Sequence, residues 1–277
     1  MSQWNRTEGE LLQTLIDGVL ILSLNRPKQH NALTLGMYAG LRDALVQANQ
    51  SPDVRVVVLE GVGASFCSGG DVSRMASNAT ASAKEGASSD QATREADLRR
   101  RTEIVELLHQ TSKPTIALLR GHVVGAGLSL ALACDIRLGD ATIRMMTGFA
   151  RVGLSGDFGG HYFLPRIVGM ARAREMYLLS RPVLGEQALE LGLVTELVDA
   201  GILREHGLKL ARDLADGPTF AYASIKANLN DGLDADLSRM LDLEAQRHVA
   251  CVESADHKEA VTAFQQKRAP QFRNHTT

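Results

Sequence analysis

The sequence has little excess charge of either sign. Over 277 residues, 30 Lys and Arg face 32 Asp and Glu, a formal net charge of −2. A field of that size recruits neither nucleic acid nor an anionic lipid surface. Cysteine is scarce as well: three residues, Cys67, Cys134 and Cys251, lie far apart. They suit neither a disulfide framework nor a zinc site, so no metal is expected, and a reducing compartment such as the cytoplasm is. Long apolar runs are missing too. The longest uncharged one, Val123 to Cys134, falls short of the roughly 18 residues that a membrane span needs. The first ten residues, MSQWNRTEGE, are too polar for a signal peptide. No repeat of fixed period is visible. What is left is an ordinary globular composition, 44% hydrophobic and 22% charged, in a chain long enough to bury a large core without a staple.

Two apolar runs open the chain, LLQTLI and VLILSL, and the Asp17-Gly18 pair between them predicts a β-hairpin. Thr34 is placed to cap a helix carrying Met37, Leu41, Leu45 and Val46 on one face. VRVVVLEG (54–61) and PTIALL (114–119) do not alternate, as expected of parallel strands covered on both faces. After PTIALL come a loop, RGHVVGAG, and a buried helix, LSLALAC. Two short strands are expected at 135–138 and 141–146. From Gly159 onward the sequence is helical, near 159–168, 171–180, 185–192, 202–216, 218–231, 235–251 and 255–268, with VTELV (194–198) as the one late strand. This order predicts an α/β core over 1–200 and a helical region over 201–277. Residues 76–93 are small, polar and low in complexity, and read as an insertion or a weak helix. Beyond them, Arg99, Arg100 and Arg101 fit a solvated helix face or a phosphate contact.

Two glycine-rich loops share one design, in which a strand feeds a tight turn and a helix follows at once. They are Ser68-Gly69-Gly70-Asp71 and Gly125-Ala126-Gly127-Leu128. Glycine there admits the close approach of a ligand or another backbone. A helix start leaves outward N–H groups at the positive end of the dipole. Two such donors aimed at one point would form an oxyanion hole. Gly61-Val62-Gly63 lacks the third glycine of a dinucleotide fingerprint, with Phe66 in its place, so that reading is rejected.

Several further segments follow in order. Asn25-Arg26-Pro27 precedes Asn31-Ala32-Leu33; Phe66-Cys67 leads into the first glycine loop; Lys113-Pro114-Thr115-Ile116-Ala117 precedes the second. Ala133-Cys134-Asp135, Gly153, Gly159-Gly160 and Leu164-Pro165-Arg166 come next, and Ala263-Phe264, Lys267-Arg268, Pro270 and Phe272 close the chain. Together they resemble the enoyl-CoA hydratase/isomerase (crotonase) family over nearly the whole length. The resemblance implies an α/β spiral of repeated ββα units. It also implies a helical C-terminal region that trimerises and covers CoA, in a homo-trimer or hexamer. The implied substrate is an acyl-CoA thioester, with no cofactor beyond the CoA that the substrate carries. The enolate-holding amides would be those of Gly70 and Ala126. Ser68, Gly69 and Asp71 would line the CoA path, Arg26 and Lys28 would lie near its phosphates, and Phe264 and Lys267 would approach CoA from the tail. A lysine that many relatives carry is Ser73 here.

Family hydratases split water with two glutamates, and the matching positions here are Ser129 and Phe149. Neither ionises at working pH, so two-carboxylate water activation is excluded. One acid remains nearby, Asp157 in LSGDFGG, and it resembles the aspartate that several isomerases of the family use to move a proton. Between Phe149 and Phe158 its pKa should be raised, which suits proton abstraction. The same aspartate also fits a cap on the helix expected from Gly159. Ser129, Met146, Phe149 and His161 are the candidate acyl pocket. The expected activity is an enoyl-CoA isomerisation. A hydratase with another water-activating group and an idle acyl-CoA-binding relative remain as alternatives.

Overall fold

The computed structural model describes residues 4–71 and 90–272. Most of the 76–93 insertion, Ser73 and the helix expected after Gly70 lie outside the described residues. Strands β1 (Leu11–Ile16) and β2 (Val19–Leu24) form the expected hairpin, with Leu11 opposite Leu24 and Ile16 opposite Val19. Asp17 and Gly18 both have positive φ, 50° and 77°, which is the primed turn that matches strand twist.

The remaining strands are β3 (Val56–Gly61), β4 (Thr115–Leu119), β5 (His122–Val124), β6 (Ile136–Gly139), β7 (Arg144–Met146), β8 (Val183–Leu184) and β9 (Glu196–Leu197). Six strands make one sheet in the order β1-β2-β3-β4-β6-β9, parallel from β2 onward. A second layer runs beside it. Leu33 bridges Gly70, Cys67 bridges Val123, β5 pairs with β7, and β7 pairs with β8. Helices follow in turn: α1 (Leu35–Gln50), α2 (Gln91–Gln110), α3 (Ala126–Ala133), α4 (Gly160–Leu179), α5 (Gly185–Glu190), α6 (Leu203–Ala215), α7 (Thr219–Asp231), α8 (Leu237–Glu253) and α9 (Ala255–Gln265). Large-sheet strand, small-layer strand, helix: this is the expected ββα spiral.

The large sheet is buried on both faces, and the period of two divides its residues cleanly. Val19, Ile21, Val56, Val58, Ile116 and Leu118 join Leu203, Ala211 and Ala215 of α6. Leu20, Leu22, Val57, Leu59, Ala117 and Leu119 join the main core with α1, α3 and α4. Each such side chain contributes about 1.5–3 kcal/mol on burial. Thr34 caps α1 as expected, its Oγ1 accepting from the Met37 amide at 3.2 Å. Among the described residues no helix is long and apolar enough to cross a membrane.

Three expectations need correction. RGHVVGAG is not only a loop, since it contains β5, a strand of three residues fixed by its neighbours Cys67 and β7. The strand expected at 141–146 shortens to Arg144–Met146, because the Thr142 amide donates to Asp140 Oδ1 at 2.8 Å and holds a turn there. VTELV is not the one late strand, because Val183–Leu184 also pairs, with β7.

Candidate active site

The two glycine loops meet. Cys67 pairs with Val123 through Cys67 N→His122 O and Val124 N→Cys67 O, each 2.9 Å, which carries the first loop onto the second. A side chain on Gly69 would lie 3.0 Å from Val124 O and 3.6 Å from Ala126 N. One on Gly127 would lie 2.6 Å from Cys67 O and 2.7 Å from Cys67 Cβ. The loops therefore touch only because both sides are bare. Gly125, with φ 56° and ψ −123°, turns the chain into α3 through backbone angles that only glycine adopts comfortably. Its own amide is held by Met146 O at 3.0 Å. The amides of Gly70 and Ala126 form no hydrogen bond among the described residues. Burial pushes the Cys67 thiol beneath them up to about 12, so it is no nucleophile here.

Arg26 braces the first loop from outside. Its Nη1 donates to Ala32 O at 2.6 Å and to Asp71 Oδ2 at 3.0 Å, and its Nε lies 3.2 Å from Glu10 Oε1. The charges expected at the CoA path are thus partly engaged with each other. Ser68 is held through its amide to His30 O at 2.9 Å and its Oγ to Gln29 O at 3.3 Å, while Lys28 stands exposed on the neighbouring turn. Phe264 is 85% exposed on α9, which packs against α8, and Lys267 follows it in a left-handed turn. Both side chains are exposed among the described residues.

Asp157 lies where α4 begins. The cap of that helix is Gly159, with no side-chain cap bond, and the Gly160 amide reaches the Asp157 backbone carbonyl at 3.4 Å. The capping role is therefore corrected: the carboxylate does not cap. Its Oδ1 is buried and has no hydrogen-bond partner among the described residues. Burial raises the group from 3.8 to about 6, against a smaller opposing pull from Arg101.

Around it stand the other candidates. Ser129, fully buried on α3, places Oγ 3.4 Å from Gly125 O and 3.5 Å from Asp157 O. The Phe149 ring packs beside both Gly125 and Gly156. His161 stacks on Tyr177 at 4.1 Å between centroids. Met146 sits one layer away, its side chain near Gly148. Ser129 thus meets the Asp157 backbone, Phe149 and His161 close on the adjoining Gly156, and Met146 supports the Gly125 turn.

Sequence reasoning missed Tyr38, Tyr177 and the influence of Arg101 on Asp157. Tyr38 stacks on Phe158 at 5.3 Å, and burial, with Cys67 and Asp157 nearby, raises its hydroxyl above the usual range. Burial and the Asp157 charge raise Tyr177 to about 12. Arg99 and Arg100 pair with Glu106 and Asp97 on a solvated helix face, whereas half-buried Arg101 lies near enough for its charge to act on Asp157. A basic triplet was visible in sequence, but nothing marked which of the three faced inward.

The architecture is the crotonase fold. An enoyl-CoA hydratase from a Polaromonas species superposes with a TM-score of 0.87 at 32% identity, covering 96% of this chain and 100% of that one. The chain belongs to the enoyl-CoA hydratase/isomerase family, whose model matches residues 15–275. Among its relatives, a 1,2-epoxyphenylacetyl-CoA isomerase of Escherichia coli is 35% identical over 262 residues, 95% of this chain and 97% of that protein. A probable enoyl-CoA hydratase of Rhodobacter capsulatus is also 35% identical, over 92% of this chain and 95% of its own length.

Proposed function

We propose that this protein isomerises an unsaturated acyl-CoA thioester through an enolate. The observation that carries the reading is the buried Oδ1 of Asp157, without a hydrogen-bond partner among the described residues, on a turn that Ser129 joins to the second glycine loop. The thioester carbonyl oxygen would accept from Gly70 N and Ala126 N. Negative charge develops on that oxygen when a C–H bond next to the conjugated system breaks, and two fixed donors stabilise it; removing one such donor costs about 10²–10³ in rate. Asp157 takes the proton, and the electron pair moves into the enolate. The carboxylic acid, which exchanges its proton with solvent between the two transfers, then gives a proton to the other end of the three-carbon system. No atom is gained or lost, and the double bond has shifted. A carboxyl near pH 6 suits both halves of this transfer. Ser129 and Phe149, flanking Gly125 without a carboxylate, support isomerisation over water addition. The relative named as an isomerase agrees with that choice, and the one named as a hydratase marks the competing outcome.

A homo-trimer or hexamer is part of the same proposal. Leu229, Leu237 and Phe264 on α7 to α9 are 69%, 75% and 85% exposed, apolar side chains that an interface between copies would cover. Sedimentation should show three or six chains.

Offering enoyl-CoA thioesters of varied chain and ring content and identifying products by mass and NMR tests the activity. The expected product has the substrate's mass with its double bond moved. Asp157→Asn should lower kcat by about 10²–10⁴ while leaving thioester affinity nearly unchanged. Product heavier by one water, formed at comparable speed, would make the protein a hydratase. Binding without either product would make it an idle relative.

A further inference from the structure

Among the polar groups that the reaction described above does not use is the hydroxyl of Tyr177. Helix α4 breaks at Gly169, whose φ of 77° and ψ of 158° are not helical. Its second half turns back, so that Tyr177 meets Gly160 at the other end of the same helix. A side chain on Gly160 would lie 2.4 Å from Tyr177 Oη and 2.8 Å from Ser129 Oγ, so only glycine permits this approach. The Tyr177 ring lies nearly parallel to His161, at 4.1 Å and 14°, and to Phe149, at 6.5 Å and 11°. The ring is fixed by its neighbours, and its hydroxyl is not free to wander.

Asp157 Oδ1 accepts no hydrogen bond among the described residues. Tyr177 Oη forms no hydrogen bond among the described residues, whereas the nearby Ser129 Oγ has two backbone carbonyls in reach. Tyr177 Oη and Asp157 Oδ1 do not pair with each other, although a tyrosine hydroxyl donates and a carboxylate accepts. Tyr177 stays protonated at any working pH, so it offers a neutral donor beside the proton-transferring acid. Hydrocarbon offers that donor nothing; an oxygen does.

We propose that Tyr177 is a specificity-determining residue, donating a hydrogen bond to an oxygen carried on the acyl chain beyond the thioester carbonyl. The site then selects oxygen-bearing acyl groups over hydrocarbon ones. This rests on the acyl-CoA reading of the site, but not on the isomerisation itself.

The test is calorimetric binding of three saturated thioesters that cannot undergo the double-bond shift: butyryl-CoA, 3-hydroxybutyryl-CoA and 4-hydroxybutyryl-CoA. The wild type should bind at least one hydroxyl-bearing thioester more tightly than butyryl-CoA by about three- to tenfold, the range of one neutral hydrogen bond. Tyr177→Phe should bring that ratio to within about twofold of one. Equal or weaker binding of both hydroxy thioesters by the wild type overturns the proposal, and needs no variant. So does a preference that survives in a folded Tyr177→Phe protein. If the preference is found and no double-bond shift is catalysed, this assignment stands and the isomerase reading falls. If none of the three binds, both fall.

Discussion

Asp157 has opposite consequences for stability and for chemistry. Burial raises its carboxyl from 3.8 to about 6. Between those values the folded protein holds a proton that the unfolded chain releases, so stability falls as pH rises through the window. Above pH 6 the buried charge is a standing cost. Asp157→Asn should therefore melt higher than wild type at pH 8, and the gain should shrink at pH 4; thermal melts at the two pH values check it, and a lower Tm for the variant at pH 8 would contradict it. Activity runs the other way. A base must be ionised to take a proton, so kcat/KM should rise through about pH 6 in the wild type. The aspartate itself was legible in the sequence, because LSGDFGG placed an acid between aromatics. Its freedom from capping was not, since that depends on Gly159 occupying the cap. Tyr38 and Tyr177 were illegible for a different reason: each packs against a neighbour of Asp157, Tyr38 on Phe158 and Tyr177 at Gly156, by a tertiary contact that no local pattern encodes.

The elements that hold the site are legible to the extent that they are long or punctuated. Asp17-Gly18 and the unbroken apolar runs of β2 to β4 announce hairpin and buried parallel strands. β5 and β8, of three and two residues, carry no period to detect, yet β5 is what joins the two glycine loops. That join makes Gly127 decisive. Gly127→Ala would place Cβ 2.6 Å from Cys67 O and 2.7 Å from Cys67 Cβ, an overpacking of the kind that costs about 1–3 kcal/mol. It should also lower kcat, because the loops must separate to admit the methyl group. Gly201→Ala, where nothing lies within 4 Å, should stay within about 0.5 kcal/mol of wild type. Urea unfolding of the two variants makes the comparison, and equal stabilities would mean that the loop contact is slack.

At the scale of the whole molecule, the spiral was read from segments in a familiar order, not from any repeat in the sequence. The expectation of a helical region past residue 200 carries a qualification: α6 packs on the large sheet, so the core extends to Ala215. The next helix, α7, is tied back by one buried cation. Lys226 Nζ donates to Asp135 Oδ2 at 2.8 Å, Leu108 O at 3.1 Å and Lys113 O at 3.3 Å. Removing one partner of a buried pair costs about 3–5 kcal/mol, and partial exposure of Asp135 puts Lys226→Met near the lower figure. Denaturant unfolding should show that loss; a change under about 0.5 kcal/mol would mean that α7 is held by other contacts.

The most direct measurement follows hydrogen at the carbon next to the thioester. The protein is mixed with an enoyl-CoA in deuterated water, and NMR reads label at the α and γ carbons. The wild type should introduce deuterium there and shift the double bond, without adding water across it, while Asp157→Asn does neither at a comparable rate. Deuterium exchange undiminished in a folded Asp157→Asn protein, or water addition in place of exchange, would contradict an enolate mechanism run by this aspartate.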